Sequence, residues 1–245
     1  MHIIKLNAIE STNSYLKDLL TENTLKNFLV VWAEEQTKGR GQLGATWVSD
    51  EGKNLTFSVL IKFKSFSLSE QFYLSMAVSL GVRKVLANYL PVPVHIKWPN
   101  DILAEKDKIA GILIENMIGG NNIKQSIIGI GLNVNQTNFP LGIGNPISIK
   151  NIIGINIDRN ELLEKIIDAI TYYIEQLEDA NFTFLKTEYL KHLFKLNKPS
   201  VFSDKHDKLF LGKIIGVSEE GRLIVELENE KTREFNLKEI KFASR

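Results

Sequence analysis

The hydrophobic pattern of this 245-residue chain changes character near residue 197. Before that point, runs of alternating apolar residues are mixed with segments of helical spacing, the longest at about 69–89 and 158–181. After it, only short alternating runs remain, separated by Asp, Glu and Gly turns. The pattern predicts an α+β domain over residues 1–196, followed by a small all-β, barrel-like domain over residues 197–245.

Composition excludes several kinds of chemistry. The chain has no cysteine, so it has no disulfide framework, no cysteine zinc site and no cysteine nucleophile. Its four histidines are scattered singly, with no HxxxH or HxH pair, so we expect no histidine-rich metal site. The 30 basic residues balance 29 acidic ones, and a protein that coats nucleic acid needs a basic face. We therefore expect no nucleic-acid partner.

The N-terminal sequence has no basic segment followed by an apolar run of signal-peptide length. No stretch approaches 18 uninterrupted apolar residues, the minimum for a membrane-spanning helix. We therefore expect a cytoplasmic protein without a membrane partner.

A glycine-punctuated loop follows the predicted strand 28–33. Gly39, Gly41 and Gly44 lie within six residues of one another, and Arg40 lies between the first two. Glycines let the backbone approach a ligand closely, and an arginine can hold a carboxylate or a phosphate through its planar fork. The loop is not a Walker A motif, because no Gly-Lys-Ser/Thr follows. An ordinary flexible connection between two strands is the alternative.

Three more segments lie at the ends of predicted strands. Residues 97–101 (KWPND) supply a lysine, an amide and a carboxylate around a turn fixed by proline, a set that could hold a triphosphate and its magnesium. Residues 108–115 (KIAGILIE) place a lysine at the start of a strand, and residues 129–135 (GIGLNVN) carry glycine at alternate positions. Alternate glycines expose a flat patch of sheet, which suggests that something flat lies against it. Together the segments suit an anionic nucleotide and a carboxylate.

These motifs resemble those of the biotin–protein ligases, also called holocarboxylase synthetases. The matching segments are residues 11–13 (STN), the loop GRGQLGATW, then KWPNDI, KIAGILIE and GIGLNVN, in the same order as in that family. The resemblance covers essentially the whole chain. It implies a catalytic domain with a mixed β-sheet flanked by helices and a C-terminal SH3-like barrel.

The resemblance also implies the reaction. Biotin and MgATP form biotinyl-5′-AMP, and the biotin then passes to one lysine of a biotin carboxyl carrier domain. The biotin-binding residues it implies are Ser11, Thr12, Asn13, Gln36, Gly39, Arg40, Gly41, Gln42, Lys108, Gly111, Gly129 and Gly131. The residues it implies for ATP are Trp47, Lys97, Asn100 and Asn133. The catalytic residues it implies are Lys108, Arg40 and Asp101, with Asp101 also the magnesium ligand.

The chain departs from the family pattern in two places. The family loop commonly carries arginines where this chain has Gln42 and Ala45, which predicts weaker retention of the adenylate. Ser11 lies only ten residues from the start, so we expect no DNA-binding domain before the catalytic domain and no repressor function. Whether the protein forms a homodimer stays open.

Two other functions compete with this interpretation. A lipoate–protein ligase or octanoyltransferase has a related fold, but the transferase uses a cysteine that this chain lacks. The lipoate ligases usually carry an Arg-Arg and Gly-Gly-Gly stretch that is absent here. A binding module without catalytic activity is the other alternative, and it predicts that substitution of Lys108 changes no measurable activity.

Overall fold

A seven-stranded sheet forms the larger part of the computed structural model, which describes residues 2–22, 24–142, 144–228 and 230–243. Its strands are β1 (His2–Ile9), β2 (Leu29–Gln36), β3 (Leu55–Lys62), β4 (Val94–Lys97), β5 (Asp101–Ala104), β6 (Asp107–Gly119) and β7 (Asn122–Leu132). Their order is β1-β2-β3-β7-β6-β5-β4. Strands β1 and β2 are parallel and the other neighbours antiparallel, so the predicted mixed sheet is confirmed.

Helices cover both faces of this sheet. They are α1 (Thr12–Glu22), α2 (Gln71–Tyr89), α3 (Ile149–Ile153), α4 (Arg159–Glu178) and α5 (Phe182–Lys191). Helix α1 packs through Leu16 against one face, where Val31, Leu60 and Ile127 form a small separate core. Helices α2 and α4 belong to the main core, and they cross closely at Gly81, where a Cβ atom would lie 2.9 Å from the side chain of Ile170.

Local sequence signals account for the starts of α3 and α4. The carboxylate of Asp158 accepts hydrogen bonds from the backbone N–H groups of Asn160 and Glu161, which starts α4 where the sequence predicts it. The Ser67–Glu70 signal instead produces a short 3-10 turn, and α2 begins one residue later, at Gln71. Helix α3, which the sequence pattern does not predict, is a single capped turn too short for a periodic signal.

A second, five-stranded antiparallel sheet forms the C-terminal part. Its strands are β8 (Pro199–Asp204), β9 (Leu209–Val217), β10 (Leu223–Leu227), β11 (Thr232–Phe235) and β12 (Ile240–Phe242), in the order β11-β10-β9-β8-β12. Phe202, Val225 and Phe235 are buried within it. This sheet fits the predicted small barrel. It contacts the larger sheet through Trp98, whose indole Nε1 donates a hydrogen bond to the carbonyl of Gly221 at 2.8 Å.

Candidate functional site

One cavity of about 210 Å³ lies where α1 begins, beside β6 and β7 and beneath the glycine loop. Its lining includes most of the site residues predicted from the sequence: Ser11, Thr12, Asn13, Gln36, Arg40, Gly41, Gln42, Trp47, Asn100, Asp101, Lys108, Gly111, Gly129 and Gly131. These residues come from distant parts of the chain, and the fold brings them to one place.

A buried network of hydroxyl and amide groups forms one end of the cavity. Thr12 donates to Gln36 Oε1 from its backbone N–H at 2.8 Å and from its hydroxyl at 3.1 Å. The hydroxyl of Ser58 lies 2.7 Å from Thr12 Oγ1 and 2.5 Å from Asn13 Oδ1. Ser11 is buried beside them. This end of the cavity is therefore rich in fixed hydrogen-bonding groups, in contrast to the apolar core behind it.

The alternate glycines of β7 are required by two side chains of the same protein. A Cβ atom at Gly129 would lie 2.3 Å from Asn13 Oδ1, and one at Gly131 would lie 2.2 Å from the Trp47 indole. Gly111 on β6 also faces that indole: a Cβ atom at Gly111 would lie 3.3 Å from Trp47 Cζ3. The sequence predicts that something flat lies against these glycines. At Gly131, the ring of Trp47 lies there. The indole Nε1 of Trp47 is buried without a hydrogen-bond partner.

The glycine loop folds back on itself as a small hairpin. The N–H of Gly41 donates to the carbonyl of Ala45 at 2.7 Å, and the N–H of Trp47 donates to the carbonyl of Gly39 at 2.9 Å. At the tip, Leu43 has a φ of 52°, in the left-handed region, and its carbonyl accepts from the Lys238 ammonium of the C-terminal sheet at 3.2 Å. Backbone groups that the sequence suggested for anion binding are therefore partly used within the loop.

Lys108 and Asp101 form an ion pair on the wall of the cavity. The Lys108 ammonium lies 2.6 Å from Asp101 Oδ1 and 5.7 Å from the centre of the Trp47 ring. The backbone of Lys108 is held on the other side, where its N–H donates to the carbonyl of Asn145 at 2.8 Å. The two residues come from the paired strands β5 and β6, so their relative position is set by the hairpin between them. Both residues line the cavity.

Three predicted site residues do not line this cavity. Gly39 closes the base of the loop hairpin, where a Cβ atom would lie 2.3 Å from the Trp47 carbonyl. Lys97 lines a separate cleft against the C-terminal sheet. Asn133 is buried, and its Nδ2 donates to the carbonyl of Ile147 at 3.1 Å, so it braces the chain behind Lys108. Their contacts with ligands stay predictions.

Two residues of the site were not singled out from the sequence. Glu115 accepts hydrogen bonds from Asn13 Nδ2 at 2.7 Å and from Arg40 Nη2 at 2.9 Å. Ser58 connects Thr12 to Asn13, as described above. The available signal for Ser58 is a hydroxyl in the middle of an apolar strand, LTFSVLIK. Glu115 ends the motif KIAGILIE, but its partners lie 75 and 102 residues away in the sequence.

The donor set for a metal ion is small. Among the described residues, no group of three or more His, Cys, Asp or Glu side chains could enclose a metal ion. Of the described residues that line the cavity, Asp101 is the one with a carboxylate. A magnesium ion commonly uses one or two protein carboxylates and completes its shell with substrate phosphates and water. The site therefore fits a magnesium ion that arrives with a nucleotide, rather than one held by the protein alone.

Known proteins match this chain in sequence and in fold. A model described as the biotin/lipoate A/B protein ligase family matches residues 6–133, more than half of the chain. The chain belongs to this family. The prediction of a ligase enzyme of the biotin ligase type is thereby confirmed, as is the predicted catalytic fold.

Curated relatives and solved structures extend the match beyond the family domain. The bifunctional ligase/repressor BirA of Escherichia coli is 30% identical over 223 residues, which are 90% of this chain and 68% of that protein. The biotin–[acetyl-CoA-carboxylase] ligase of Paracoccus denitrificans is 28% identical over 80% of this chain and 82% of its own. The biotin protein ligase of Aquifex aeolicus, solved with biotin and ATP, superposes with a TM-score of 0.80 at 28% identity over 99% of both chains.

One structural observation bears on the expectation that the protein has no membrane partner. Among the helices of the described residues, none combines the length and the apolar composition needed to cross a bilayer.

Proposed function

We propose that this protein activates biotin with MgATP to form biotinyl-5′-AMP and then transfers the biotin to a lysine of a biotin carboxyl carrier domain. The observation that carries the proposal is one cavity with a polar, hydrogen-bonding end and a lysine ammonium on its wall, in a chain of this ligase family. A solved relative of the same fold binds biotin and ATP.

The polar end favours biotin over lipoate, the two acids named in the family description. The ureido ring of biotin has one carbonyl acceptor and two N–H donors, whereas the dithiolane ring of lipoate has neither. Buried polar groups left without partners cost free energy, so a site built from them selects the ligand that satisfies them. Ser11, Thr12, Asn13 and Gln36 supply such groups here. Ser58 connects Thr12 to Asn13, and Thr12 in turn bonds to Gln36.

In the first step, a carboxylate oxygen of biotin attacks the α-phosphorus of ATP. A new P–O bond forms as the bond between the α-phosphorus and the bridging oxygen breaks, and pyrophosphate leaves. The step brings two anions together, and a fixed cation offsets their repulsion. Lys108 is a cation on the cavity wall, and we assign it to the biotin carboxylate and then to the adenylate. Magnesium, held at Asp101 and by the phosphates, would balance the charge of the triphosphate.

In the second step, a neutral lysine amine of the carrier attacks the carbonyl carbon of the adenylate. The C–N bond forms, the acyl C–O bond to AMP breaks, and the amine loses a proton. Asp101 is the carboxylate closest to Lys108, and we assign it to assist that proton loss. Trp47 we assign to cover the nucleotide, because its ring already lies over Gly131 and Gly111 within the same cavity.

The proposal is tested on a carrier domain with purified protein. Incubation with biotin and MgATP should add one biotin to the carrier, detected as a single mass increase by intact-protein mass spectrometry. Replacement of the acceptor lysine of the carrier by arginine, or omission of ATP, should abolish the increase. A carrier that stays unmodified under complete conditions, with a known ligase modifying it in parallel, contradicts the proposal.

Repression of transcription is a separate matter. Several relatives are named as bifunctional ligase/repressors, and that name describes those proteins. Our expectation for this chain, from its balanced charge, is ligase activity without DNA binding. A mobility-shift assay on double-stranded DNA, with and without the adenylate, tests it.

A further inference from the structure

Glu115 lies where the glycine loop, the start of α1 and strand β6 meet. Its carboxylate accepts from Arg40 Nη2 at 2.9 Å and from Arg40 Nη1 at 3.4 Å, a two-point contact. It also accepts from Asn13 Nδ2 at 2.7 Å. The side chain of Glu115 is 26% exposed and that of Arg40 is 46% exposed, so their ion pair is partly open to solvent, whereas the bond to Asn13 is partly buried. One carboxylate thus joins three separate segments of the site.

The contact with Glu115 changes what Arg40 can do. Its Nη1 also donates to Ser14 Oγ at 3.3 Å, so the guanidinium fork is occupied by protein groups of α1 and β6. Two-point arginine–carboxylate pairs are among the stronger and most directional polar contacts in proteins. A substrate phosphate would have to displace Glu115 to bind this arginine. Arg40 therefore connects the loop to the sheet.

Glu115 also decides which way the amide of Asn13 points. An ionised carboxylate only accepts hydrogen bonds, so the amide must present its NH₂ group to Glu115 and its oxygen toward Ser58. The Ser58 hydroxyl in turn contacts Thr12, whose N–H and hydroxyl both donate to Gln36. The pattern of donors and acceptors at the polar end of the cavity therefore depends on the charge at Glu115.

We propose that Glu115 is a positioning residue that holds the glycine loop closed through Arg40 and sets the hydrogen-bonding polarity of the ligand pocket through Asn13. The inference rests on the proposed biotin ligase function for the identity of the ligand. The part of the inference that concerns closure of the glycine loop does not depend on that function. Binding at the polar end and closure of the loop share one carboxylate, so loss of its charge weakens both.

Glu115→Gln separates this role from simple structural support. Glutamine has nearly the same shape but carries no charge. Its NH₂ group is a donor, so it cannot accept the hydrogen bond that Arg40 or Asn13 donates to that position. In biotin-dependent pyrophosphate exchange, we expect the KM for biotin to rise by about tenfold or more, as loss of charged hydrogen bonds predicts. We expect kcat at saturating biotin to change by less than about threefold, because the variant keeps Lys108. Glu115→Asp keeps the charge and should recover part of the lost affinity.

Limited proteolysis of the free protein gives a readout that needs no activity. We expect the loop at residues 37–48 to be cut faster in Glu115→Gln and in Arg40→Ala than in the unsubstituted protein. The double variant should be cut no faster than either single variant, since both remove the same contact. Glu105→Gln is the matched control, because Glu105 is exposed in the turn between β5 and β6. Equal melting temperatures establish that each variant folds.

The outcomes separate the two proposals. Unchanged loop cleavage and an unchanged KM for biotin in Glu115→Gln would overturn the role of Glu115 while the active unsubstituted protein upholds the ligase. An unsubstituted protein without exchange activity would contradict the proposed function, and the cleavage rates would still decide the role of Glu115. If Glu115→Gln does not fold, Arg40→Ala and Glu115→Asp carry the same comparison.

Discussion

The Lys108 ammonium lies 2.6 Å from Asp101 Oδ1, on the wall of the cavity. The two residues that the sequence indicates for separate tasks, charge stabilisation and proton removal, are therefore paired with each other. A substrate carboxylate that approaches Lys108 competes with Asp101 for the same ammonium. Release of Asp101 as the ligand binds would free its carboxylate for magnesium or for the incoming amine, so one contact couples the roles.

Lys108→Ala should lower the rate of biotin-dependent pyrophosphate exchange by roughly 10²–10³-fold, the usual effect of removing one charge-stabilising donor. The melting temperature should change little, because the side chain is 38% exposed and exposed ion pairs contribute little to stability. Lys106→Ala, in the exposed turn just before β6, is the matched control and should retain full activity. Full exchange activity in Lys108→Ala would remove this lysine from the mechanism.

Gly131→Ala and Gly129→Ala should affect different substrates. A methyl group at Gly131 would displace the Trp47 indole and should raise the KM for ATP, because we assign that ring to the nucleotide. At Gly129 it would displace Asn13 and should raise the KM for biotin. Each KM should rise by about tenfold or more, a factor equivalent to 1.4 kcal/mol. Steady-state kinetics with each substrate varied in turn measures the effects.

Gly216→Ala is the control for these substitutions. Gly216 is a strand glycine of the C-terminal sheet where the nearest atom to a new Cβ lies 4.0 Å away, so both KM values should stay unchanged. If Gly131→Ala and Gly129→Ala raise the same KM equally, the assignment of the two ends of the cavity is wrong.

Gln42→Arg should slow the release of biotinyl-5′-AMP from the protein. Gln42 lines the cavity at a loop position where the family commonly carries an arginine, and an added guanidinium can hold the adenylate phosphate. The release rate is measured by rapid filtration of preformed adenylate, and labelling of bystander protein should fall in parallel. Leu43→Arg adds the same charge at the exposed loop tip and should leave release unchanged. Equal effects of both variants would indicate a general charge effect.

Glu34→Gln should destabilise the protein at neutral pH and less so in acid. Burial alone would raise the pKa of Glu34, but hydrogen bonds from Lys5 and Arg159 outweigh it and hold the pKa below its ordinary value of 4.5. A lowered pKa in the folded state stabilises the protein above pH 4.5, and that stabilisation is lost as the pH falls through the folded-state pKa.

Urea unfolding at pH 7 and at successively lower pH checks this dependence. The stability difference between Glu34→Gln and the unsubstituted protein should shrink below pH 4.5. Glu51→Gln, in an exposed turn, should show no comparable difference at either pH. A difference that is constant with pH would assign the effect to packing rather than to charge.

Features written in contiguous residues were predictable from the sequence. The glycine loop, the turn at residues 98–100 and the alternate glycines of β7 are short patterns whose chemistry is local. Asp158 likewise caps α4 where the spacing predicts, because the capping carboxylate and its donors are two and three residues apart. The change of pattern near residue 197 precedes the second sheet, which begins at Pro199.

Features that depend on long-range pairing were not predictable. Arg40 reads as a substrate-binding arginine from its place between two glycines, and only the fold brings it to Glu115 on β6. Gly131 reads as a surface for a ligand, whereas the fold places Trp47 there. Asn133 reads as a polar residue beside the glycines, yet it is buried behind Lys108. In each case the local sequence shows which chemical group is present, whereas the tertiary contacts determine which group it binds.

Exchange of labelled pyrophosphate into ATP, with biotin or lipoate as the only acid, tests the central claim most directly. The account predicts rapid exchange that depends on biotin and on magnesium, and little exchange with lipoate at the same concentration. Loss of the biotin-dependent exchange in Lys108→Ala, with Lys106→Ala unaffected, ties that signal to the cavity. No exchange with biotin, or exchange that prefers lipoate, would contradict the account.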